Sequence, residues 1–312
     1  MKENTIIILT TGGTIAGVGA PGVDTGYVSG AIKGENLIAS VPGLTKIDGV
    51  GDIVTYEVCN VNSDDINDSA WISILAKIDE LSDDNNVKGF VITHGTDTME
   101  ETAFFLSFTV KTDKPVIITG AMHPSTSTAP DGPKNLTEAV SAAAGFNSHI
   151  VSKRHNNVYV SFAGKLIDGL KVTKISTTKL NAFEKEKWSE NTMEFIRDKY
   201  EDIYPKLSRI YNNFSEVKLP RVNVVYFCAN ADASILKHAA SVSDGIVVAG
   251  AGSGEFSKDY IKVIESLDVP VAVCSRISEG CVTKENLLCK NTTGYYELSP
   301  QKAAILLKLL LL

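Results

Sequence analysis

The chain has 312 residues, 44% hydrophobic and 21% charged, with a formal net charge of −7. That composition excludes collagen-like, mucin-like and bulk disordered chains, and the acidic balance argues against partners gripped through a phosphate backbone or an anionic membrane surface. The five cysteines (Cys59, Cys228, Cys274, Cys281, Cys289) form no C-x-x-C pair, so reduced thiols are expected rather than a disulfide framework or a metal site.

Residues 5–9, Thr-Ile-Ile-Ile-Leu, read as a short buried strand directly after a four-residue start. The longer apolar region and small-residue cleavage site of a signal peptide are not seen, which predicts a cytoplasmic chain or a mature form with its signal peptide removed. Strands are predicted at 6–10, 53–58, 87–93 and 115–119, where short β-branched apolar runs occur, and helices at 65–81, 97–110 and 131–144, where the spacing is helical. Strand and helix in alternation predict an α/β fold: a mostly parallel sheet flanked by helices. Such sheets hold ligands beyond the carboxyl ends of their strands.

The stretch 150–157 is polar, and 158–162 is again strand-like. Residues 184–209 are dense in charge and read as a solvated helix and a linker. A second, smaller α/β domain is predicted from 220, with strands at 222–227, 245–249 and 269–274 and a helix at 258–266. The expected organisation is therefore a domain at 1–183, a linker at 184–219 and a domain at 220–312. The apolar residues 303–312 predict a buried final helix, far short of the ~20 residues of a membrane span.

Three strand ends carry small polar residues. The first is Thr10-Thr11-Gly12-Gly13-Thr14-Ile15-Ala16-Gly17. Gly12 and Gly17 have the spacing of a phosphate-binding loop, but Val18 stands where lysine is required. A tight turn and a nucleophilic Thr14 fit this segment equally well. The second is Thr93-His94-Gly95-Thr96-Asp97-Thr98-Met99-Glu100-Glu101, in which Thr98 with Glu101, or Asp97 with Glu100, fits a helix capping box. The third runs from Gly120-Ala121-Met122-His123 to Asp131-Gly132-Pro133, where Asp131 and Pro133 read as a helix cap and first position. Three such ends in one parallel sheet would build one polar crevice.

Thr-Gly-Gly-Thr-Ile-Ala-Gly near the start, with His-Gly-Thr-Asp-Thr-Met-Glu-Glu-Thr after the third strand, resembles the bacterial-type L-asparaginase and glutaminase-asparaginase family. The likeness covers about 4–178 and resumes near 219. It implies two domains and hydrolysis of the side-chain amide of L-asparagine to L-aspartate and ammonia, with L-glutamine as a side substrate and no metal or cofactor. It also implies a homotetramer whose sites are shared between subunits. By the same resemblance Thr14 is the primary nucleophile, and Tyr27 lies on a loop that closes over the substrate. Thr96, Asp97 and Lys174 form a second group, with Lys174 as proton acceptor. Ser63 takes the substrate α-carboxylate, Asp97 its α-ammonium, and Gly95 and Ala121 frame the amide.

The chain departs from the family's pattern at several positions. Asp64 stands where Gln or Glu is usual, Asn62 where Gly is common, and Glu255 where Asn or Ser is common; Glu285 falls near the glutamate the family contributes from a neighbouring subunit. Asp64, Glu255 and Glu285 are therefore expected beside the substrate, with altered affinity or glutamine activity. Two rivals are a catalytically inactive amino-acid-binding protein and an amidase working for a partner enzyme. The second would call for a docking domain, for which the chain has no spare length.

Overall fold

The computed structural model describes residues 1–23, 26, 28, 30–145 and 157–312. Tyr27 and all but the last residue of the polar stretch 150–157 lie outside the described residues. The chain divides into two compact units, Met1–Glu186 and Lys187–Leu312.

The first unit is built on a six-stranded sheet. Its strands are β1 (Thr5–Gly12), β2 (Asp52–Val61), β3 (Val87–Thr93), β4 (Val116–Thr119), β5 (Val158–Phe162) and β6 (Lys165–Asp168), in the order β2-β1-β3-β4-β5-β6. All neighbours are parallel except β5 and β6. Every residue of β1 is buried, as its unbroken β-branched run requires of a strand covered on both faces. The chain leaves β1 toward β2 on one side and returns to β3 on the other, so the carboxyl end of β1 is the place where connections part and a crevice opens.

Helices α1 (Gly34–Ala39), α2 (Asp68–Ser82), α3 (Met99–Thr109) and α4 (Gly132–Ala144) cover this sheet. Leu136, Ala139, Val140 and Ala143 of α4 pack on Ile6, Ile8, Val91 and Ile117. Helices α2 and α3 pack against each other, with Trp71 stacked on Phe105 at 4.8 Å. A short hairpin of β7 (Val172–Lys174) and β8 (Phe183–Lys185) completes the unit.

The second unit holds a parallel four-stranded sheet, β12-β11-β10-β9, made of β9 (Val222–Tyr226), β10 (Gly245–Gly250), β11 (Val271–Ser275) and β12 (Thr292–Gly294). Helices α7 (Ser234–Ser241) and α8 (Lys258–Ile264) pack through Leu236, Ala239, Tyr260 and Ile264 on Ile246, Val248 and Val273. Helix α9 (Pro300–Leu310) packs on β9, β10 and β11 and buries Ile305, Leu306 and Leu309. Among the described residues, no helix is long and apolar enough to cross a membrane.

The stretch 187–219, expected as linker, is folded into the second unit. It forms α5 (Glu190–Ile203) and the short α6 (Ser208–Tyr211). Its charges hid an apolar stripe: Ile196, Ile203, Leu207 and Ile210 recur at helical spacing and are all fully buried. Helix α2 begins at Asp68 rather than 65, because Ser63–Asp65 make a separate 3-10 turn and the Asn67 side chain accepts from the Ala70 N–H at 3.1 Å.

Candidate active site

Three glycines bring three chain segments together. Gly12 and Gly13 at the end of β1 have φ of +97° and +81°, which side chains other than glycine's rarely adopt. A Cβ at Gly12 would lie 2.5 Å from the Val61 carbonyl, and one at Gly13 would lie 2.5 Å from the Gly95 nitrogen. A Cβ at Gly95 would in turn meet the Ser63 Cβ at 2.7 Å. The Thr11 hydroxyl adds a 2.9 Å bond to the Thr93 carbonyl, locking the end of β1 to that of β3.

Where these segments meet, a cleft of about 260 Å³ is lined by Gly13, Thr14, Gly26, Asn62, Ser63, Asp64, Gly95 and Asp97. Thr14 opens a 3-10 turn and is buried apart from its face on the cleft. Ser63 accepts from the Asp97 N–H at 3.2 Å, while its carbonyl accepts from the Thr98 hydroxyl at 2.6 Å. Thr98 therefore sits at the helix N-cap position without capping: its hydroxyl is committed to Ser63, and the expected capping box is not formed. Asp131 likewise turns its carboxylate to the N–H groups of Met122 and His123 rather than to the first backbone N–H groups of its own helix.

Beside the cleft, the Lys174 amine donates to the Thr96 hydroxyl at 2.8 Å and to Asp97 Oδ1 at 2.6 Å. The Lys174 side chain is 12% exposed and that of Asp97 70%, so the pair is dry at the amine and wet at the carboxylate. Lys174 is the last residue of β7, and nothing in its local sequence marks it for this contact.

His94 is fully buried and its hydrogen bonds fix its tautomer. Nδ1 lies 2.7 Å from the Gly95 carbonyl, which can only accept, so Nδ1 carries the proton. Nε2 then accepts from the Thr102 hydroxyl at 2.9 Å, and that oxygen accepts from the Trp71 indole N–H at 2.9 Å. Burial holds the His94 pKa down at about 4, the Gly95 bond opposing the shift. A neutral, fully paired imidazole is a brace for the 93–97 turn.

The segment after Thr14 is latched to the loop after β4. The Ser125 hydroxyl donates to the Gly17 carbonyl at 2.7 Å, the Gly19 N–H donates to Thr126 Oγ1 at 3.0 Å, and the Gly22 N–H donates to the Thr126 carbonyl at 2.9 Å.

Of the residues singled out in the sequence, Thr14, Ser63, Asp64, Gly95 and Asp97 share the cleft, and Thr96 and Lys174 adjoin it through Asp97. Ala121 does not line it; its side chain packs in the core on the α4 side. Glu255 and Glu285 belong to the second unit and are exposed there, Glu255 with its carboxylate over Gly252 and Glu285 held below the usual carboxylate range by a Thr283 hydrogen bond. Sequence reasoning missed the Trp71–Thr102–His94 chain and Glu100, since each joins elements distant along the chain. Among the described residues there is no group of three or more His, Cys, Asp or Glu side chains placed to hold a metal ion.

The architecture is that of a two-unit α/β protein with a polar crevice holding Thr14 at the switch point of its larger sheet. Residues 5–199 match the family described as Asparaginase, N-terminal, and 221–312 match the Glutaminase/Asparaginase C-terminal domain. L-asparaginase 2 of Escherichia coli is 37% identical over 98% of this chain and 88% of its own length. Glutaminase-asparaginase of Pseudomonas fluorescens is 32% identical over 98% and 85%. The crystal structure of a probable cytoplasmic L-asparaginase from Campylobacter jejuni superposes with a TM-score of 0.74 at 30% identity, covering 98% of this chain and 94% of that one. The chain belongs to the asparaginase family.

Proposed function

We propose that this chain hydrolyses the side-chain amide of L-asparagine to L-aspartate and ammonia, with weaker turnover of L-glutamine. The observation that carries the reading is the gathering of Thr14, Ser63, Gly95 and Asp97 in one cleft beside a Lys174 amine bonded to Thr96 and Asp97.

An amide is a poor electrophile and a threonine hydroxyl a poor nucleophile, so both need help. The Thr14 oxygen attacks the amide carbon. Its proton passes to the leaving nitrogen, and the C–N bond breaks to release ammonia and leave an acyl ester on Thr14. Water then cleaves the ester, restoring the hydroxyl and freeing L-aspartate. In that second step Thr96 takes a proton from the attacking water while passing its own to the Lys174 amine across the 2.8 Å contact, Asp97 holds the ammonium so formed, and the proton returns through Thr96 to the Thr14 oxygen as the ester bond breaks. The Ser63 hydroxyl donates to the substrate α-carboxylate, and Asp97 and Asp64 receive its α-ammonium. Backbone N–H groups near Gly95 hold the amide oxygen.

Glu255 and Glu285 reach a neighbouring subunit's substrate in a homotetramer. The assembly is supported by an apolar surface on the second unit, where Val224, Tyr226, Ile235 and Val242 are exposed around a groove of about 490 Å³. Nucleic acid and membrane are not partners of an acidic chain of this kind, and the reaction needs no cofactor.

Coupled ammonia release tests the reading, with L-asparagine and L-glutamine titrated side by side. Saturable release from asparagine, exceeding that from glutamine, is expected. Saturable binding of asparagine without ammonia would replace the enzyme by a binding protein.

A further inference from the structure

Three side chains at the start of α3 each reach a different segment around the cleft. Thr98 bonds the Ser63 carbonyl, Thr102 bonds His94 Nε2, and Glu100 Oε2 accepts the Lys174 backbone N–H at 2.6 Å. The first two hold segments that follow β2 and β3. The third holds the strand that carries the amine.

Glu100 is only 5% exposed. A carboxylate at such depth is costly unless hydrogen-bonded, and a short bond from a backbone N–H to an ionised oxygen is of the stronger kind. Glu101 beside it is pushed up to about 7 by burial and by the Glu100 charge. The strand it holds needs an anchor. β7 has three residues and, among the described residues, pairs with β8 alone in a two-stranded sheet, and a lone hairpin is marginal by itself. Helix α3, in contrast, is packed in the core along almost its whole length. The Glu100 bond transfers that rigidity to the backbone of Lys174, whose side chain then spans to Thr96 and Asp97.

We propose that Glu100 is a positioning residue for this reaction: its carboxylate fixes the Lys174 main chain so that the amine stays in register with the Thr96 hydroxyl. The inference rests on the asparaginase reading above, and its test separates the two.

Glu100→Ala and Glu100→Gln would be compared with wild type by ammonia release. A parallel measurement would be the acetylation rate of Lys174, read by peptide mass spectrometry against the exposed Lys258. Glu100→Ala is expected to lower kcat by about tenfold or more, since a displacement of the order of 1 Å is enough. KM is expected to change by less than about threefold, because the loss falls on the chemical step. Lys174 acetylation should rise several-fold. Glu100→Gln keeps an oxygen acceptor and is expected to restore both readouts to within about threefold of wild type. A folded Glu100→Ala protein with wild-type kcat and wild-type Lys174 reactivity would overturn the proposal, as would a Glu100→Gln protein no better than Glu100→Ala. If wild type itself releases no ammonia, the asparaginase reading fails, and the acetylation measurement alone decides whether Glu100 holds Lys174.

Discussion

His94 shows how a residue that looks like a catalytic base can be its opposite. Its two nitrogens are both spent, on Gly95 and on the Thr102–Trp71 chain, and its pKa of about 4 keeps it neutral at physiological pH. The consequence is a pH dependence of stability with a definite sign. Below pH ~6.5 an unfolded His94 takes a proton, whereas the folded one does not until about pH 4. The unfolded state therefore binds more protons across that window, and stability falls as the pH drops, by up to about 3 kcal/mol from this group. Glu101 acts in the other direction: with its pKa raised to about 7, the stability linked to its extra proton is lost as pH rises toward and through 7. Comparing wild type with His94→Gln by urea unfolding between pH 4 and 7 isolates the histidine. The difference between the two proteins should shrink or reverse as the pH falls. A pH-independent difference would show that His94 is not held neutral.

At the scale of elements, the site exists because glycines let three strand ends cross at backbone distance. Gly13→Ala places a Cβ 2.5 Å from the Gly95 nitrogen at φ +81°, and is expected to cost about 2–4 kcal/mol in urea unfolding and to lower turnover sharply. A loss below ~0.5 kcal/mol would mean that the crossing is looser than its geometry. Strands β1–β5 and β9–β11 and helices α2, α3 and α4 were legible in the sequence, because their period and β-branched runs are local signals, whereas β6, β7, β8, β12 and α1, each six residues or fewer, were not predicted. Thr14, Thr96 and Asp97 were legible as polar residues at strand ends, and Lys174 only through the family resemblance. What sequence could not show were bonds between distant elements: Thr98 to Ser63, Glu100 to the Lys174 N–H, and Asp131 to Met122 and His123. The capping signals at Thr98 and Asp131 misled for that reason. A tertiary acceptor or donor outcompeted the local one: Thr98 turned to Ser63 in the crevice wall, and Asp131 to the loop after β4.

For the whole molecule, the second unit carries an exposed apolar surface. Its edge strand β9 exposes Val224 at 36% and Tyr226 at 57%, next to Ile235 and Val242 of the α7 region. Exposed apolar side chains along an unpaired strand edge are what subunit contacts cover. Light scattering should find a homotetramer in wild type and a smaller species in Tyr226→Glu. An unchanged mass would move the interface elsewhere. The 187–219 segment belongs to the same account: dense in charge, yet anchored by four buried apolar residues and by Ser189 and Thr192 hydroxyls that donate to Glu297 at 2.9 and 2.6 Å.

The claim on which the rest depends is that the Thr14 oxygen performs the attack. Ammonia release from L-asparagine by folded Thr14→Ala protein tests it most directly. The account predicts a fall of at least ~10³-fold in kcat with the cleft still able to bind aspartate, since the bond-forming atom is gone while Ser63, Asp64 and Asp97 remain. Release at the wild-type rate would contradict it and pass the nucleophile's role to Thr96, with Lys174 as its base.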